Sequence, residues 1–403
     1  MSASKHWIER GLTCVAKTYG RYPLVAASGE GCWLTDVDGK KYLDFLAGVA
    51  VNSLGHCHPK VVAALQEQAG KLLHCSNFYH IPQQIELAEL LCRHSFGDRV
   101  FFCNSGAEAN EAAMKLVRKH SAEKHGVNRF EVITALASFH GRTLGTISAT
   151  GQEKVRAGFA PMVPGFKYVP FGNIQALRTA INPNTCAIML EPVQGEGGVN
   201  VPPAGYLQAV RELCDEKGLL LVFDEVQVGC GRTGSLFAYQ HDNVEPDIMT
   251  LAKALAGGPP IGAMIAREQY AETLGPGTHG STFGGNPLMA AAGLAAMRVL
   301  IEDGVLDNCV TMGDYLRQQL ETLKEKYDFI IEVRGRGLIL GMELSIDGGE
   351  MVKTALERGL LINCTVGKVL RFLPPLTVSR DEIDQMLDIL DGILIEYREK
   401  NND

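Results

Sequence analysis

Short apolar runs, partly β-branched, punctuate the middle of the chain at 100–103, 131–135, 187–190, 219–223, 248–251 and 262–265, with helix-patterned stretches such as 108–124 and 205–217 between them. Runs of this length suit strands better than helices, and strands separated by helical crossovers build a parallel sheet flanked by helices. The ends read differently. Short strands are expected at 32–34 and 41–42, others at 339–344 and 369–372, and a last helix at 380–399. The expected architecture is α/β: a large, mostly parallel sheet domain over 51–300, and a smaller α+β domain built from 1–50 and 301–403. Its length and its 46% of hydrophobic residues allow a large core and exclude disorder, collagen and coiled coil.

Charge narrows the partners. With 38 Lys+Arg against 46 Asp+Glu the net charge is -8, which gives no electrostatic footprint for nucleic acid. Eleven cysteines occur without a CxxC pair, and their odd number cannot be fully paired, so a reducing, cytoplasmic compartment is expected. Lys5, His6, Glu9 and Arg10 precede any long apolar run, unlike a secretory signal, and the apolar stretch 288–297 is too short and alanine-rich to span a bilayer. The 44 glycines gather in short motifs, as where backbone must approach a ligand. That favours an enzyme.

Three motifs carry chemistry. In FFCNSGAEANE, 101–111, an apolar run stops and a helix begins; Ser105 with Glu108 fits a capping box, and Gly106 beside it suits a helix start that attracts phosphate. From the motif alone, an ordinary cap without a ligand is the favoured reading. In LLLVFDEVQVGCGRTG, 219–234, Asp224 falls at the carboxyl end of a buried strand, where it can hold a ring nitrogen protonated or simply cap the next turn. Gly229, Gly231 and Gly234 match a dinucleotide fingerprint, so a Rossmann oxidoreductase is a competing class, but no long amphipathic helix follows. In DIMTLAKALAGG, Lys253 ends an apolar strand; desolvation keeps such an amine neutral more of the time and able to attack a carbonyl. Taken singly it reads as a snorkelling lysine. In this chain order, the three motifs supply the anchors that pyridoxal phosphate requires.

With SGAEANE, SFHGRT, EPVQGEGG, DEVQVGCGRTG and HGSTFGGNP in place, the chain resembles the fold-type I, class III (ω-) aminotransferases, and within them the acetylornithine aminotransferase branch, over nearly its whole length. The resemblance implies a pyridoxal-phosphate enzyme in which Ser105, Gly106 and Ala107 cradle the phosphate and Ser281 and Thr282 reach the cofactor of a neighbouring subunit, hence a homodimer. It implies that Phe139 stacks on the ring, Asp224 pairs with its nitrogen, Gln227 lies near its hydroxyl, and Lys253 bonds the cofactor and then moves the proton. It further implies that Arg142 holds the substrate's distal carboxylate, that Arg371 holds the α-carboxylate of glutamate, and that Glu196 pairs with Arg371 whenever an ω-amine donor brings no such carboxylate. Tyr19 is expected to help with the distal carboxylate, and Val49 stands where the ornithine branch carries an aromatic, a lean towards acylated donors. His56 and His58 in GHCHP form a tempting metal pair, but no clustered ligands accompany them, and no metal is assigned.

The function implied is transfer of the δ-amino group of N2-acetyl-L-ornithine to 2-oxoglutarate by ping-pong kinetics, as in arginine biosynthesis. Relatives acting on succinylornithine, ornithine, 4-aminobutyrate or N-succinyl-diaminopimelate share every anchor. A catalytically dead scaffold is a third class, against which Lys253, Asp224 and both arginines argue. Val228, in a place often filled by Thr, and the turn AGGPP after Lys253 depart from the family pattern, and altered packing is expected there.

Overall fold

The computed structural model of the chain describes residues 2–402. Seven strands form the central sheet, in the order Arg99–Cys103, Gly262–Ala266, Ile248–Leu251, Leu220–Asp224, Thr185–Leu190, Glu131–Ala135 and Phe166–Val169. From Ile248–Leu251 to Phe166–Val169 every neighbouring pair is parallel. All residues of Thr185–Leu190 and Leu220–Asp224 are buried, which is why the stretches 186–190 and 220–223 are continuously apolar rather than alternating.

Gly262–Ala266 corrects the expectation of a parallel strand, because it runs antiparallel to both its neighbours. The link 252–261 holds only the 3₁₀ turn Lys253–Ala256, and a parallel return needs a crossover of about a dozen residues or more. Phe166–Val169 is a strand the sequence pattern missed: it lies at the sheet edge, mostly half-buried, and so lacks a clear apolar signature.

Helix Gly106–His125 lies over the sheet with a buried face that includes Ala109, Asn110, Ala112, Ala113, Leu116 and Val117, and its three alanines permit close approach. The end segments meet one another. Leu360–Leu361 adds in parallel to Lys41–Asp44, extending the antiparallel ribbon Ala26–Glu30 and Trp33–Asp36. Ile330–Arg336, Ile339–Leu344, Val369–Phe372 and Asn363–Thr365 form a third sheet, against which helix Val305–Lys326 packs. One core cluster contains Ile188 and Leu221 of the central sheet together with Leu340 and Leu370 of this third sheet, so the strand bearing Arg371 is tied to the central sheet by continuous packing.

Candidate active site

A cavity of about 460 Å³ opens at the carboxyl ends of the parallel strands, the place where such sheets bind ligands. The segments leaving Glu131–Ala135, Thr185–Leu190, Leu220–Asp224 and Ile248–Leu251 deliver Phe139, Glu191, Asp224 and Lys253 to it, while the helix start supplies Ser105, Gly106 and Ala107. Arg142, Glu196 and Gln227 line it too.

Ser105 is the N-cap, its hydroxyl accepting from the Glu108 N–H at 3.2 Å. Glu108 reaches back one residue further than a capping box requires, accepting the Asn104 N–H at 2.8 Å. A Cβ on Gly106 would lie 2.6 Å from the Val226 side chain, so only glycine lets the helix start come this close to the loop after Asp224. Asp224 does cap the next turn, through the Val226 N–H to Oδ1 at 3.0 Å, but its other oxygen is bound by His140 Nδ1 and Asn110 Nδ2, each at 2.7 Å. A carboxylate oxygen has no hydrogen to give, so His140 Nδ1 carries one.

Lys253 adopts φ +46°, a left-handed conformation that costs a residue with a Cβ roughly 1 kcal/mol or more. Its amine lines the cavity with no hydrogen bond or ion pair among the described residues. Burial pushes the amine below its ordinary pKa, with Glu196 opposing and Arg371 assisting. An unpaired amine in strained backbone, a helix start open to phosphate and a carboxylate at the carboxyl end of a central strand fit pyridoxal phosphate. Glu191 accepts the Phe139 N–H at 3.1 Å; burial, reinforced by Asp224, pushes its carboxyl well above the usual range.

Deeper in, Arg371 is fully buried and its Nη1 donates to Glu196 at 2.7 Å and to Gln227 Oε1 at 3.1 Å, while Gln227 Nε2 donates to Glu196 at 3.0 Å. Burial alone would raise the Glu196 carboxyl, but Arg371, Lys253 and these hydrogen bonds outweigh it and hold it at about 2. The QGEGG glycines have a local reason: a Cβ on Gly195 would fall 1.6 Å from Gln227 Oε1. The Arg142 guanidinium lies 5.4 Å from the Phe139 ring centre.

Other expected residues lie elsewhere. Ser281 accepts from Asn104 at 3.1 Å just outside the cavity, and Thr282 is exposed. Tyr19 is 73% exposed beside a separate apolar hollow with Leu24, Leu46 and Leu360, so this chain does not bring it to the site. Val51 lines the cavity whereas Val49 packs near Ala50, Val193 and Val199, and Val228 is buried in that same cluster. His56 is engaged by Asp44 at 2.8 Å. Gly231 packs against Leu376 and Leu306, and only the short turn Ala238–His241 follows, with no helix to receive a pyrophosphate. His140, Asn110 and Glu191 escaped the sequence reading, although each sits inside or beside a motif already noted.

The family model for aminotransferase class-III matches residues 14–394. The chain belongs to the class-III aminotransferases. It is similar to the acetylornithine aminotransferase of Caldanaerobacter subterraneus, 54% identical over 94% of this chain and 97% of that one, and to that of Methanocaldococcus jannaschii, 52% identical over 98% and 100%. The ornithine aminotransferase of Toxoplasma gondii superposes with a TM-score of 0.96 at 36% identity, covering 99% of this chain and 97% of that one. Class-III aminotransferases depend on pyridoxal phosphate and share the fold-type I architecture. The backbone is thus common to enzymes named for different donors, and substrate choice has to be sought in side chains.

Proposed function

We propose that this aminotransferase moves the δ-amino group of N2-acetyl-L-ornithine to 2-oxoglutarate in two successive half-reactions. Pyridoxal phosphate, once bound, supplies a sink for the electron pair left when a proton departs the substrate carbon. The residues of the chain do the rest. Ser105, Gly106 and Ala107 would hold the phosphate, Phe139 would flank the ring, Asp224 would pair with its nitrogen and Gln227 would stand near its hydroxyl. Lys253, desolvated and unpaired, takes and returns the proton at the reacting carbon. Arg142 receives the carboxylate far from the reacting amine.

The observation that carries this reading is the Glu196–Arg371 pair at 2.7 Å. While paired, the buried arginine is neutralised and accepts a donor with no carboxylate beside its reacting carbon; for glutamate, Glu196 withdraws and Arg371 makes paired hydrogen bonds to the α-carboxylate. Acetylornithine as the donor is supported by the full-length sequence relatives. A donor panel with 2-oxoglutarate as acceptor tests it: N2-acetylornithine should give the highest kcat/KM, and a higher value for ornithine or 4-aminobutyrate would overturn the assignment. Borohydride reduction and peptide mapping should find the cofactor on Lys253 and on no other lysine.

The enzyme is proposed to work as a homodimer. Phe78, Tyr79 and Phe283 are 93%, 69% and 60% exposed, an apolar surface a second copy would cover, and Ser281 and Thr282 sit beside it, outside this chain's own cavity. Eleven free thiols, several of them buried, fit a cytoplasmic location. No helix among the described residues is long and apolar enough to cross a membrane.

A further inference from the structure

Asn110 sits one turn into the helix that begins at Gly106, and is 1% exposed. Its Nδ2 donates to Asp224 Oδ2 at 2.7 Å and to the His140 carbonyl at 2.8 Å, and its Oδ1 accepts from the Thr250 hydroxyl at 2.7 Å. An amide owns two N–H hydrogens, and both are used. The Thr250 hydroxyl, by donating, decides which end of the amide faces Asp224. Thr250 lies on the strand that leads to Lys253, and His140 follows Phe139. One side chain therefore ties together the helix start, the Asp224 carboxylate, the aromatic loop and the lysine strand.

The acceptor count on Asp224 gives this a chemical meaning. A carboxylate has about four acceptor positions, two on each oxygen. Asn110 and His140 fill both on Oδ2, and the Val226 N–H takes one on Oδ1. We infer that Asn110 is a positioning residue that fixes the Asp224 carboxylate so that the last free acceptor position, on Oδ1, serves the ring N–H of the cofactor. This rests on the proposed pairing of Asp224 with the ring nitrogen.

The test uses the holoenzyme of Asn110→Leu, Thr250→Val and Asp224→Ala, read by the pH titration of the bound cofactor's absorption band. The pyridoxal phosphate dissociation constant of each apoprotein is measured alongside its melting temperature. Asn110→Leu should move the titration midpoint and weaken cofactor binding by roughly tenfold or more, the scale of a lost hydrogen bond to a charged group. Thr250→Val, nearly isosteric, should shift both in the same direction by less, without lowering the apoprotein melting temperature in proportion. A folded Asn110→Leu protein with the parent spectrum and affinity overturns the inference while a changed Asp224→Ala leaves the Asp224 pairing standing. An unchanged Asp224→Ala spectrum brings down that pairing and the inference with it. Should Asn110→Leu not fold, Thr250→Val decides: a shifted midpoint supports the inference, and the parent midpoint overturns it.

Discussion

Arg232 and Arg371 are both fully buried, at 0% exposure, and their charges are met in opposite ways. Arg232 donates to the carbonyls of Leu338 at 2.9 Å and Pro374 at 2.6 Å and to the Ser53 hydroxyl at 3.0 Å, and no carboxylate pairs with it among the described residues. Burial lowers its pKa only to about 10, so the charge persists at neutral pH. Arg371 instead shares Glu196 and Gln227 with the cavity, and the Glu196 side chain keeps 30% of its exposure. Backbone carbonyls cannot leave without unfolding, whereas a partly exposed side chain can. The first arginine is a fixed bolt between residues 53, 338 and 374, and the second, on the proposed function, is a socket whose occupant a ligand carboxylate would replace.

The contrast breaks most readily at Arg232. Arg232→Met leaves three buried acceptors without their donor, and chemical denaturation should show a loss of about 3 kcal/mol or more, with the donor KM unchanged in the protein that remains folded. A loss under about 1 kcal/mol would make the two sites alike. Arg371→Met should lower kcat/KM for glutamate by roughly a hundredfold, about 2.7 kcal/mol, while shifting the denaturation midpoint less than Arg232→Met does. Glu196→Gln should slow the N2-acetylornithine half-reaction by roughly tenfold and the glutamate half-reaction by no more than about twofold, measured separately by stopped flow; equal slowing removes the exchange role.

The smallest effect is on acid stability. Glu196 is held at about 2 in the folded chain and regains an ordinary carboxylate value on unfolding. Its stabilisation is therefore fully present above the ordinary carboxylate range and is lost as the pH falls through that range towards about 2. Denaturation curves of the parent and Glu196→Gln should keep a constant separation above about pH 5 and converge below it. A separation that stays constant to pH 3 contradicts the pairing.

The sheet was legible where burial on both faces makes a strand uniformly apolar, as at 187–190 and 219–223, and the strands at 131–135 and 248–251 have the bounds expected of them. It was illegible at Phe166–Val169, an edge strand, and in the direction of Gly262–Ala266, which depends on the length of a connection rather than on the strand's own residues. Within the site, Ser105, Asp224 and Lys253 could be read because each stands at the boundary between two local patterns. Asn110, His140 and Glu191 could not, since each matters through a partner far away in sequence, such as Asp224 for the first two and Phe139 for the third.

Local chemistry along the chain determined which residues can carry an amine, a carboxylate and a phosphate cradle, and in what order, because hydrophobic period, capping and glycine spacing act over a few residues. Only the tertiary structure decided that Arg371 would find Glu196 across 175 positions, that Arg232 would join three separated segments, and that the Lys253 amine would stand in left-handed backbone with no hydrogen-bond or ion-pair partner among the described residues. Those outcomes depend on which groups remain to satisfy a buried charge once the sheets have packed, and packing brings together residues that no local pattern relates.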